Sequence, residues 1–146
     1  MINLAAACAL TAASANLPMA GLHIAIARAP GWRVARLFAG IALTAGLYSL
    51  VNTVYAIQGL PDAAYLAAGR LSYLIGTVHA LFWLVYAYSD SNGSLRTAPR
   101  WVRWVAASVV AASLFFAATG WQLTARVSTF RIAWAGETNT IRLPPR

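Results

Sequence analysis

The stretch from Gly69 to Asp90, GRLSYLIGTVHALFWLVYAYSD, carries no charge between Arg70 and Asp90. As a helix it is long enough to cross the hydrocarbon core of a bilayer. An arginine opens it, an aspartate closes it, and Tyr73, Tyr86 and Tyr88 lie toward its ends, where amphipathic rings favour the headgroup region. Its polar and small residues do not scatter. Ser72, Gly76, His79, Trp83, Tyr86 and Asp90 recur at three- and four-residue steps and share one helical face. Hydrocarbon offers such groups no partners, so this face is expected to meet other helices and the stretch to be the central span of a small membrane bundle.

The rest of the chain supports that class. Of its 146 residues 60% are hydrophobic and only 10% charged, far from the balance of a soluble domain. The net charge of +8 comes from arginine alone, with no lysine anywhere. These arginines sit in short clusters between apolar runs, the pattern of membrane-protein loops and not of a nucleic-acid surface. Cys8 is the single cysteine, which excludes an intrachain disulfide and a cysteine metal site.

Four spans are expected, at about 2–27, 37–57, 70–89 and 101–124. The first is interrupted only by Asn16, Pro18 and His23, and a kink or local loosening is expected at Pro18. Ala13-Ser14-Ala15 has the small-residue pattern of a signal-peptide cleavage site, but MINLAAAC has no basic residue and the apolar run continues well past it, so the span is read as retained. A basic loop around Pro30-Gly31 follows. The second span has a small flank, Gly40, Ala42 and Gly46, suited to close helix contact, and a polar seam of Thr44, Tyr48, Asn52 and Tyr55. A weakly charged connector runs through Gly59, Pro61 and Asp62. Pro99 suits the first turn of the fourth span, whose tryptophans, Trp101, Trp104 and Trp121, mark both of its ends.

The tail, 125–146, differs from the spans. Phe130, Ile132 and Trp134 alternate with Thr129, Arg131 and Ala133, and a turn at 136–139 precedes Ile141 and Leu143, which predicts a short hairpin or extended segment. The fold class is therefore an all-α, four-span transmembrane bundle with a short extended or hairpin-like external tail. Arg28, Arg33, Arg36, Arg96, Arg100 and Arg103 fall in the first and third loops, against Arg70 alone at the edge of the second. By the positive-inside rule the N-terminus and the tail lie outside.

Candidate chemistry centres on the seams. Tyr48, Asn52 and Tyr55 facing His79, Trp83 and Tyr86 would line a binding cavity or act as interhelical glue, worth about 0.6 kcal/mol per hydrogen bond on average. Glue is the favoured reading. Bis-histidine haem ligation between helices has a precedent, but His23 and His79 would differ in depth by roughly 9 Å at 1.5 Å per residue. No cofactor is therefore expected. Asp62, Asp90 and Glu137 are the only acids and none lies mid-span, so a proton- or cation-coupled transporter lacks its relay. No nucleophile–base pair, metal-ligand cluster or phosphate loop is present, and the chain is read as a non-enzyme with no catalytic or metal site.

The run RLSYLIGTVHALFWLVYAYSD, then Pro99-Arg100 opening a helix, then the ending FFAATGW, resembles the third and fourth helices of the seven-helix sensory region at the N-terminus of many bacterial histidine kinases and diguanylate cyclases. An outside N-terminus and a basic first inner loop also fit, and the resemblance covers residues 1–124. It implies a signal-input bundle in the bacterial inner membrane that speaks to a membrane or cytoplasmic partner. The fifth to seventh helices and a kinase or cyclase domain are missing from this sequence, so the output is expected to come from elsewhere. The alternative is a structural or accessory subunit of a larger membrane complex, and a third reading is a haem-binding electron carrier; a second copy, in a homo-oligomer, is among the partners considered. Gly76→Leu is expected to damage the bundle more than Val78→Leu, because Gly76 is read as lying on the packed face.

Overall fold

A computed structural model describes residues 3–89 and 98–119, together with the backbone of 127–132 and 136–141. Four helices follow one another: α1 (Leu4–Ile26), α2 (Ala35–Asn52, extended by a 3-10 turn over Thr53–Ala56), α3 (Asp62–Tyr88) and α4 (Arg100–Thr119). All four are long and apolar enough to span a membrane. In the tail, strands β1 (Val127–Ile132) and β2 (Gly136–Ile141) pair antiparallel, from Val127 opposite Ile141 to Ile132 opposite Gly136. The predicted end of the fourth span at Thr124 and the residues between these strands lie outside the described residues.

Local chemistry sets the helix ends. Asn3 caps α1, its side-chain oxygen accepting from the Ala6 N–H at 2.8 Å. Its amide donates in turn to the Ala56 carbonyl at 3.2 Å, pinning the start of α1 to the end of the 3-10 turn. Helix α1 runs unbroken through the predicted loosening at Pro18. Between α1 and α2, Trp32 N–H donates to the Ala29 carbonyl across Pro30-Gly31, and Gly31 has φ of 82°. Proline followed by a left-handed glycine is the composition of a type II turn.

Helix α3 starts at Asp62, eight residues before the predicted span. Pro61 presets an extended entry and Asp62 favours the positive end of the helix dipole. The whole helix is about 40 Å long, whereas Arg70 to Tyr88 rises about 27 Å, close to a bilayer core. The absence of charge thus marks an apolar layer and not the helix start. The extra turns pack on their own account. Tyr65 is buried, donates its hydroxyl to the Ile57 carbonyl and stacks on Tyr55 at 6.4 Å.

The helices form a row. Each packs against its sequence neighbours, most extensively α1 on α2 and least α3 on α4, and among the described residues α1 and α4 share no comparable interface. Neighbours run antiparallel: Asn3 meets Ala56, Phe38 meets Tyr86 and Tyr88 meets Trp101. The expected central span, α3, is not the packing centre: among the described residues the four helices form a row, and α2 holds most of its buried contacts. Seven residues of α2 are buried (Ala35, Ala39, Gly40, Ile41, Ala42, Thr44 and Gly46), against three of α3 and two of α4. Apolar helices gain little from closing on one another in lipid, so small residues that permit close approach decide the neighbours. Arg28, Arg33, Arg36, Arg100 and Arg103 gather at one end of the row. The 3-10 turn, the start of α3 and β2 come together at the other.

Candidate functional site

The predicted seams meet in one hydrogen-bonded chain. Thr44 on α2 lies 2.9 Å from His79 Nδ1 on α3, and Trp83 Nε1 donates to His79 Nε2 at 3.1 Å. An indole nitrogen only donates, so Nε2 is the bare, accepting nitrogen. The proton of the neutral ring then sits on Nδ1 and is donated to the Thr44 hydroxyl. Thr44 in turn donates to the Gly40 carbonyl at 2.8 Å, one turn back along α2. Every partner is satisfied, with one tautomer and one direction from Trp83 to Gly40.

The chain continues through aromatic contacts. Trp83 meets Tyr86 edge-on at 6.0 Å, Tyr86 meets Phe38 at 4.5 Å, and Phe38 stacks on His23 at 5.6 Å. All these centroid separations suit favourable ring pairs. The ladder starts at mid-span on α3, crosses to α2 and ends on α1, five residues before Arg28. His23 beside Phe38 and His79 beside Thr44 stand six positions apart along α2, a rise of about 9 Å. Both nitrogens of His79 are engaged within the protein. Among the described residues, no cluster of three histidine, cysteine or acidic side chains could hold a metal ion.

The other predicted seam residues spread toward the opposite end. Tyr55 stacks on Tyr65 and lies within electrostatic reach of Tyr48. Ser72 Oγ is buried near Tyr55 without closing a hydrogen bond of good geometry. Asn52 is half-buried, one turn before Tyr55. The seam does not turn wholly inward. Tyr48 is 42% exposed, Trp83 47% and Tyr86 37%, so these three lie along the edge of the α2–α3 interface. Their rings stand where apolar surroundings and interhelical polar groups meet.

The expected packed role of Gly76 is corrected. A Cβ there would meet nothing within 4 Å, whereas a Cβ on Gly40 would lie 2.4 Å from the Phe82 ring and one on Gly46 2.8 Å from Leu17. The close approaches belong to α2. Thr77, Ser113 and Phe38 were missed as contact residues. Thr77 points to α4 and hydrogen-bonds Ser113 there, one of three hydroxyl residues in that helix, and polarity was its only sequence signal. Phe38 carried no sequence signal, since one more large apolar residue in an apolar span is unremarked by periodicity.

The chain matches no family model, no curated protein and no solved structure.

Proposed function

We propose that the chain is a sensory or signal-input module of the bacterial inner membrane, with its N-terminus and tail outside, acting through a membrane or cytoplasmic signalling partner. The observation that supports this is the ladder from His79 through Trp83, Tyr86 and Phe38 to His23. A contiguous set of packed rings that links a mid-span polar group to the basic end of three helices is suited to carry a change of packing. The side chains at this end, around Arg28 to Arg36, are those that would meet the partner. Trp32 there is 59% exposed.

A photo-crosslinking residue at Trp32, in cells that express the full chain, tests the reading. Capture of a protein that carries a kinase or cyclase output is the expected result, and its loss in Tyr86→Ala would tie capture to the ladder. Orientation is tested separately. In a Cys8→Ser background an impermeant maleimide should label Thr138→Cys and spare Ser94→Cys in intact cells. Inverted labelling reverses the topology and removes the basic loops from the cytoplasm.

The second reading, an accessory subunit without a ligand, is favoured by α4. Among the described residues this helix packs mainly on α3, and its Trp104, Leu114 and Phe115 are each more than half exposed. Cross-linking from Trp104 into a stable multi-subunit complex, with none from Trp32, would favour it.

A further inference from the structure

We infer that His79 is a protonation-sensitive latch: in its neutral form it holds Trp83 against α3, and on protonation it releases that ring from the α2–α3 edge. The inference deepens the signal-input reading by naming the regulation of the same site, and its chemistry stands on the hydrogen bonds alone.

The argument is one of donors and acceptors. Trp83 Nε1 can only donate, and it needs a bare Nε2 on His79 to donate to. An imidazolium carries a proton on both nitrogens. Its Nδ1–H keeps the bond to Thr44, since a hydroxyl oxygen accepts from either form. Its Nε2–H, however, points at the indole N–H, and two donors face one another. The Thr44 side of the latch therefore survives protonation and the Trp83 side fails. Trp83 is 47% exposed at the edge of the helix row, held there by His79 and Tyr86, so a ring released by His79 can turn outward. Doing so withdraws the edge contact to Tyr86 and frees the next step of the ladder toward Phe38.

No carboxylate among the described residues stands near enough to hold an imidazolium in place. Among the described residues, α2 and its 3-10 extension carry Arg36, Tyr48 and Tyr55 as their charged or titratable groups, and α4 carries Arg100 and Arg103. Helix α3 itself carries Asp62, Tyr65, Arg70, Tyr73, Tyr86 and Tyr88. Its one acid, Asp62, precedes His79 by seventeen residues, about 25 Å of helix rise. Protonation is thus met by a rearranged hydrogen bond and not by a new ion pair.

The test uses the full chain in lipid nanodiscs, labelled with 15N-histidine and 15N-tryptophan, between pH 8 and pH 5. The His79 signals are those absent from His79→Gln. At pH 8 they should show a protonated Nδ1 and a bare Nε2, and acidification should convert both to the imidazolium pattern as the Trp83 indole N–H signal moves. Trp83→Phe keeps a ring at this position but removes the opposing donor. With no indole N–H left to be displaced, the acid-induced change in the ladder should be lost in this variant. The opposite tautomer at pH 8, or a Trp83 indole N–H signal that stays fixed while His79 is protonated, overturns the latch. Nitroxides on Arg36→Cys and Ala87→Cys, at the end of α2 and α3 where the ladder leads, then follow the interhelix distance. A distance that changes with the wild-type midpoint supports the latch as the input of the module. A fixed distance with the expected titration leaves the latch standing and counts against signal input.

Discussion

Helix α2 and helix α4 are similar in length and apolar character, yet they are held by different means. On α2, alanine and glycine line both sides, and the neighbouring helices bring large side chains into the space: Phe82 from α3 over Gly40, Leu17 from α1 over Gly46. On α4, only Val102 and Ser113 are buried, and one hydroxyl pair, Thr77 with Ser113, joins it to α3 at mid-span. Edge contact between Tyr88 and Trp101 adds to this at the basic end. Where every helix is apolar, hydrophobicity cannot choose neighbours, and shape and hydrogen bonds must. A small residue holds helices close only where a large one fills the gap it leaves.

The largest effect is expected at Gly40. Even the Cβ of an alanine would stand 2.4 Å from two Phe82 ring carbons, a separation that packed atoms do not reach, so the helices must part or the ring must leave. Overpacking of this kind costs about 1–3 kcal/mol, and Gly40→Leu should lie at or beyond the top of that range. Reversible unfolding from mild into denaturing detergent would measure it. Phe82→Ala should restore part of the loss in the double variant, because the clash is between these two positions. If Gly40→Leu unfolds like the wild type, α2 is not the packing centre.

Gly46→Ala comes next. Its Cβ would meet Leu17 Cδ2 at 2.8 Å and Cγ at 2.9 Å, but this aliphatic side chain can change rotamer where the Phe82 ring has to leave. The expected loss is about 1 kcal/mol, at the low end of the overpacking range. A loss equal to that of Gly40→Ala would mean that α1 is as rigidly seated on α2 as α3 is.

On the α4 side, Thr77→Val removes a hydroxyl while keeping the shape. Hydrogen bonds between membrane helices average about 0.6 kcal/mol, so the global effect is small. The local one is larger. Amide exchange in α4 should rise while that of α1 and α2 stays put, since among the described residues α4 shares a comparable interface with α3 only. Uniform exchange across all four helices would show the row to be one cooperative unit.

Much of this difference was legible in the sequence, in parts. Periodicity picked out Thr44 and His79 on facing seams, because intramembrane polar groups are rare and their phase stands out. The small flank of α2 was equally visible in Gly40, Ala42 and Gly46. Which large residue fills each gap was not, since Phe82 and Leu17 look like any other apolar residue until the helices are paired. The start of α3 was missed for a different reason. Charge marks where an apolar layer ends, whereas Pro61 and Asp62 mark where a helix begins, and here the two are eight residues apart. Trp83 and Tyr86 share the helical phase of His79, but a face that looks inward on a helical wheel becomes an edge when the helices form a row.

Gly76 gives the smallest expected effect and the sharpest form of the comparison. It shares a helical phase with His79 and Trp83, so on periodicity alone it belongs to the packed face of α3. The space beside it is open, with no heavy atom within 4 Å of where a Cβ would stand. Gly76→Ala then has no clash to offset its gain in helix propensity, which is worth up to about 1 kcal/mol in an exposed helix interior. The variant should unfold at the same denaturing-detergent concentration as the wild type or slightly above it. Gly76→Leu should match Val78→Leu within about 0.5 kcal/mol, the usual spread for surface changes, because both extend into unoccupied space. A clear loss in Gly76→Leu alone would reveal a neighbour at this face that the single chain does not contain. A second copy or a partner helix seated against Ser72 and Gly76 would then explain why a small residue stands there.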